Sequence, residues 1–138
     1  ARVFRDALGI LPAVKIAFAV KSNPNLSVLK VLAAEGYGAD VVSGGEMERA
    51  LAAGMLPDGI VFSGVGKTEA EMRRGIEAGI GQFNLESEEE GLELAAIATS
   101  MGKVASGPSA KTIIMPADAA DAMKGVVALL ATARGAAT

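Results

Sequence analysis

Ala17-Phe18-Ala19-Val20-Lys21-Ser22-Asn23-Pro24-Asn25 is a short apolar strand that delivers one lysine at its carboxyl end, just before a turn. Side chains along a strand alternate between faces, so Ala17, Ala19 and Lys21 are expected on one side and Ile16, Phe18 and Val20 on the other. An amine above two alanines has room for a flat ring beside it. Pro24 lacks an N–H and biases Asn23 away from helix, which ends the strand. In α/β proteins catalytic groups gather at the carboxyl ends of parallel strands. From spacing alone, Lys21 reads either as a solvated lysine at a strand end or as a catalytic amine.

Outward from this stretch, a strand-then-helix rhythm repeats. Residues Arg2 to Leu11 read as a short helix stopped by Pro12, and Val14 to Val20 as the first strand. Leu26 to Glu35 places Leu26, Leu29 and Ala33 at helical spacing before Gly36. Ala39-Asp40-Val41-Val42 reads as the second strand; Ser43 and Glu46 then form a capping box that opens a helix to Ala53. Ile60 to Ser63 and Gly81 to Leu85 repeat the strand. Thr68 with Glu71, and Ser87 with Glu90, repeat the box, and the last helix carries Leu94, Ile97 and Met101 on one face. Strand starts near 14, 38, 60 and 81 are roughly 21 to 24 residues apart, the length of one compact βα unit. The fold class is therefore α/β with a parallel sheet: four to five βα units of a partial (β/α)8 barrel, or a small open sheet. The rhythm covers residues 1–105. The segment 106–138 reads as a tail of different character, with a late strand over 112–115 and an alanine-rich helix over 117–134.

Composition narrows the chemistry. At 138 residues, 51% of them hydrophobic, with a net charge of −3, the chain can bury the core of one soluble domain. The acidity argues against nucleic acid and anionic membranes as partners, and no apolar run is long enough to span a bilayer. No signal peptide is read in the first residues, and a cytoplasmic location is expected. The absence of Cys and His excludes disulfides, thiol catalysis, Ser-His triads and His-ligated zinc. Chemistry must come from Lys, Asp, Glu, Ser, Asn or a bound cofactor.

Residues from about 3 to 105 resemble the start of the barrel domain in the diaminopimelate decarboxylase family. That family belongs to the fold-type III pyridoxal-phosphate enzymes, with alanine racemase and the ornithine and arginine decarboxylases. The stretches that carry the resemblance are Phe18 to Asn25, Gly38 to Glu46, Arg49 to Gly54, Ile60 to Thr68 and Gly79 to Ser87, in the family's order. The resemblance implies pyridoxal 5'-phosphate as cofactor, bound covalently by Lys21. It also implies decarboxylation of an amino-acid substrate, meso-diaminopimelate, to L-lysine. A desolvated lysine amine suits this task because it loses its proton below its free value of about 10.4. By the same resemblance Asp40 lines the cofactor pocket beside Ser43, although Asp40 also reads as a strand-end polar group and Ser43 as a helix cap. Glu46 reads as a capping partner.

The family's later barrel strands, its ring-stacking histidine, its glycine-rich phosphate loop and its C-terminal β domain have no counterpart in this sequence. The chain is therefore expected to be a fragment, a rearranged gene product or an engineered half-barrel, inactive by itself. A non-catalytic scaffold is the competing expectation. Its open sheet edges are expected to drive self-association into a homo-oligomer. A third reading takes Ser63-Gly64-Val65-Gly66-Lys67-Thr68 as a phosphate loop, although Val61 stands where a P-loop needs its first glycine. The acidic run Glu86, Glu88, Glu89 and Glu90 reads as charge at a helix N-terminus, and no metal site is expected.

Overall fold

Five short strands lie side by side in chain order, each hydrogen-bonded in parallel to the next. The computed structural model describes residues 1–11 and 13–102, together with the strand at 112–114. Helix α1 (Arg2–Leu8) precedes β1 (Ala17–Ala19), α2 (Leu26–Ala34), β2 (Gly38–Val41) and α3 (Gly44–Ala52). Then come β3 (Ile60–Phe62), α4 (Glu69–Ala78), β4 (Gln82–Asn84), α5 (Glu88–Ser100) and β5 (Thr112–Ile114). The order β1-β2-β3-β4-β5 is that of successive strands in a (β/α)8 barrel. The helix expected over 117–134 lies outside the described residues.

The sheet has two unlike faces. Ala39, Val41, Ile60, Phe62 and Phe83 point toward the helices and join Leu29, Leu32, Met47, Ala50, Met72 and Ile76 in one core. Phe62 and Phe83 are stacked, with ring centroids 6.1 Å apart. The intervening residues Gly38, Asp40, Val61, Gln82 and Asn84 fall on the opposite face and are half-buried. In a closed barrel that second face lines the interior. Gly38 has no room for a side chain, since an added Cβ would stand 2.0 Å from the carbonyl oxygen of Gly59.

The expected elements form with corrections at their ends. The first helix stops at Leu8, not Leu11, and the first strand is three residues long. Its early end has a local cause: Ser22 Oγ donates to the Ala19 carbonyl at 2.6 Å, and the Asn23 amide donates to the Val20 carbonyl. These bonds wind Val20–Ser22 into a 3-10 turn, so strand alternation does not extend to Lys21. In α2 the buried pair is Leu29 and Leu32, while Leu26 is 36% exposed.

All three expected caps are present, but they differ in reach. Thr68 and Glu71 make the full reciprocal box. Ser43 Oγ accepts from the Glu46 amide, and Ser87 Oγ from the Glu90 amide, yet each glutamate reaches one residue beyond the cap, to the amides of Val42 and Glu86. At the amino end, the Arg2 and Arg5 guanidiniums bind Glu35 and tie α1 to the end of α2. The hydrogen bond from Arg2 holds the Glu35 carboxyl below its ordinary range.

Candidate active site

The carboxyl ends of β1 to β4 assemble the site. Lys21 sits in the turn after β1, exposed, with no hydrogen bond or ion pair among the described residues. Below it on the strand are only Ala17 and Ala19, whose register partners are Gly38 and Asp40. Asp40 is thus one strand away from Lys21 and two register positions lower. The exposure of Lys21 corrects one expectation, since the described residues do not desolvate this amine.

Asp40 stands on the half-buried interior face of β2, and its Oδ1 accepts a hydrogen bond from Ser63 Oγ at 2.5 Å. Ser63 follows β3, and its amide donates to the Val41 carbonyl, continuing the ladder for one residue. Its Oγ also accepts from Asn84 Nδ2 at 3.0 Å. Ser43, by contrast, spends its side chain as the N-cap of α3. Glu46 is likewise committed, with Oε2 on the Val42 amide at 2.9 Å.

Lys67 overturns the phosphate-loop reading. Its side chain is fully buried, and Nζ donates to the carbonyls of Gly64 and Asn84, both at 2.6 Å, and to Glu90 Oε1 at 3.2 Å. The ammonium also lies 5.8 Å from the centre of the Phe62 ring. With its three donors directed at three protein acceptors, it has none left for a phosphate. Glu90 belongs to the acidic run read as helix-end charge. It is in fact buried, and it also accepts from the Lys67 amide at 3.2 Å. A second glutamate makes a similar cross-link, with Glu71 Oε1 accepting from the Gly44 amide at 2.7 Å. These bonds from the Gly44 and Thr68 amides draw the Glu71 carboxyl below its ordinary value, the Thr68 bond contributing most. Among the described residues no group of His, Cys, Asp and Glu is arranged to hold a metal ion.

Ser63, Asn84 and Gln82, given no role with Asp40 in the sequence reading, join it here by hydrogen bonds. Their signal was positional, as polar side chains spaced two apart at the ends of strands, on the same face as Asp40.

A parallel βα sheet in successive strand order, with an exposed lysine beyond its first strand and a hydrogen-bonded carboxylate on the next, defines an α/β domain of the (β/α)8 class. The chain belongs to the pyridoxal-dependent decarboxylase family: the family's pyridoxal binding domain matches residues 1–121. A diaminopimelate decarboxylase of Zymomonas mobilis is 60% identical over 90 residues, covering 65% of this chain and 21% of the relative. One from Pseudomonas fluorescens is 55% identical over 102 residues, 73% of this chain and 24% of that protein. Among solved structures, Helicobacter pylori diaminopimelate decarboxylase complexed with L-lysine is 42% identical, with a TM-score of 0.65 over 72% of this chain and 24% of its own. The Aquifex aeolicus protein AQ1208 gives a TM-score of 0.77 at 34% identity, over 91% of this chain and 33% of its own. The chain thus spans under a quarter of the length of these curated relatives.

The described residues fit a pyridoxal group. Lys21 offers an amine without a partner among the described residues, and Ala17, Ala19 and Gly38 are small neighbours on and beside its strand.

Proposed function

We propose that this chain supplies the lysine-bearing part of the pyridoxal-phosphate site of an enzyme that decarboxylates meso-diaminopimelate to L-lysine. The observation that carries the reading is Lys21, exposed and without a partner among the described residues at the carboxyl end of β1, one strand from the anchored carboxylate of Asp40. Lys21 Nζ is the amine that holds the cofactor covalently. Asp40 lines the cofactor pocket, where it brings negative charge to a face otherwise built here from Ala17, Ala19, Gly38, Val61, Gln82 and Asn84. Ser43 borders the pocket from the cap of α3. Bound pyridoxal supplies an electron sink for the electron pair left when the substrate carboxylate departs as CO2. The L-lysine complex of the Helicobacter relative fits the product of this reaction. Among the described residues β1 and β5 each have one strand neighbour, which supports self-association through the outer edges.

Incubation with pyridoxal phosphate, borohydride reduction and peptide mapping test the assignment. Seven lysines compete for the label. The expected product carries one reduced label on Lys21 and loses it in Lys21→Ala, while Lys67 stays unlabelled because its ammonium is enclosed. Slow label scattered over Lys15, Lys30 and the rest would overturn the assignment in favour of a non-catalytic scaffold.

A further inference from the structure

Four side chains on the interior face form one directed chain of hydrogen bonds across β2, β3 and β4. Gln82 Nε2 donates to Asn84 Oδ1 at 2.7 Å, Asn84 Nδ2 to Ser63 Oγ at 3.0 Å, and Ser63 Oγ to Asp40 Oδ1. The chain's direction follows from its end. An ionised carboxylate only accepts, and a serine hydroxyl has a single proton to give. With that proton on Asp40, Ser63 can only accept from Asn84, which must therefore turn its amide nitrogen to Ser63 and its oxygen to Gln82. Gln82 must then donate. The backbone beneath is held as well, since the Asn84 carbonyl accepts from Lys67 Nζ at 2.6 Å.

All four side chains are half-buried, on the face turned away from the helix-packed core. Hydrogen bonds open to water add little to stability, because water replaces them at small cost. What the chain does achieve is orientation. Asp40 Oδ1 is occupied, and Oδ2 has no donor among the described residues, so one oxygen is held by protein and the other is left to accept from a ligand.

We infer that Ser63, backed by Asn84 and Gln82, is a positioning residue that fixes the Asp40 carboxylate with its free oxygen toward a ligand held at Lys21. The inference rests on the pyridoxal reading of the site. None of the three touches the reacting atoms, and each acts through Asp40.

Ser63→Thr and Ser63→Val are nearly isosteric, so a packing role would treat them alike, and only the hydroxyl distinguishes them. Two readouts are taken on the full chain. One is the pyridoxal phosphate concentration that half-saturates reducible label on Lys21. The other is the pair of side-chain amide resonances of Asn84 and Gln82, in 15N-labelled protein without cofactor. Ser63→Thr should keep both near wild type. Ser63→Val should raise the half-saturating concentration about tenfold, the scale of one lost hydrogen bond to a charged group. It should also displace both amide pairs, including that of Gln82, which is linked to Ser63 only through Asn84 in the hydrogen-bond chain. Asp40→Ala should displace the same two pairs by removing the chain's acceptor end.

Equal behaviour of Thr and Val in both readouts would overturn the inference, as would amide pairs indifferent to Asp40→Ala. A wild-type chain that does not label Lys21 would instead remove the pyridoxal reading, and the amide spectra would still decide whether Ser63 holds Asp40.

Discussion

Replacing Lys67 by Met keeps the length and burial of the side chain while deleting its ammonium, and the structure sets the size of the consequence. Two carbonyls, Gly64 and Asn84, lose donors at 2.6 Å, and the Glu90 carboxylate, 9% exposed, loses its counter-ion at 3.2 Å. Breaking a buried ion pair from one side costs about 3–5 kcal/mol. The lower end applies here, because Glu90 keeps the Lys67 and Glu86 backbone amides as donors. A loss of about 3 kcal/mol is a large share of the roughly 5–15 kcal/mol that holds a domain together. With urea slopes of about 1–3 kcal/mol per molar, the unfolding midpoint should fall by about 1–3 M.

The double variant Lys67→Met with Glu90→Gln removes the stranded charge, while the glutamine oxygen still accepts from backbone amides. Its cost should fall short of the sum of the single costs by about 1–2 kcal/mol. Urea titrations of the four proteins, followed by circular dichroism, measure this cycle. A Lys67→Met midpoint within about 0.3 M of wild type, or a strictly additive cycle, would refute the picture of Lys67 as a buried clamp. A lysine serving a bound phosphate would behave oppositely: its loss would spare stability in plain buffer and abolish stabilisation by added phosphate.

Two further outcomes follow from the same geometry. The Glu71 carboxyl is held below its ordinary value of 4.5, so its stabilisation is complete above the unfolded-state value and is lost as pH falls through the lower folded one. Thermal unfolding between about pH 6 and pH 3 should therefore show wild type losing more stability than Glu71→Gln, and parallel pH profiles would contradict this. The glycines offer a paired contrast. Gly38→Ala drives a Cβ to 2.0 Å from the Gly59 carbonyl oxygen and should destabilise by about 1–3 kcal/mol. Gly45→Ala, on the exposed first turn of α3 with its nearest neighbour at 4.0 Å, should stabilise by a few tenths to about 1 kcal/mol, and calorimetry separates the two.

How far the sequence was legible depends on the range of each interaction. The strand starts at Gly38 and Ile60 and the caps at Ser43, Thr68 and Ser87 were readable because each rests on neighbours within a few residues. Strand length was less so. The first strand's end is decided by the Ser22 hydroxyl taking the Ala19 carbonyl, a choice that hydrophobic alternation does not register. Lys67 and Glu90 are 23 residues apart, so one read as a loop cation and the other as a helix-end charge until the fold brought them together. The chain from Gln82 to Asp40 joins three strands, and only the register shows that its members share a face.

The acids around the strand ends are committed to amides and to Lys67, and Lys21 has no side-chain partner among the described residues. Helices α3, α4 and α5 each carry glutamate in the first turn, and those carboxylates reach back to loop amides, with Glu90 also capturing the Lys67 ammonium. Such carboxylates are favoured there by the helix dipole and by unpaired amides, so their cost is low and their effect is to stitch the loops. Helix α2, which follows Lys21, has no acid in its first turn and is capped by Asn25, whose neutral oxygen accepts from the Ser27 and Val28 amides. The neutral cap satisfies the first-turn amides of α2 without a carboxylate in the turn that carries Lys21.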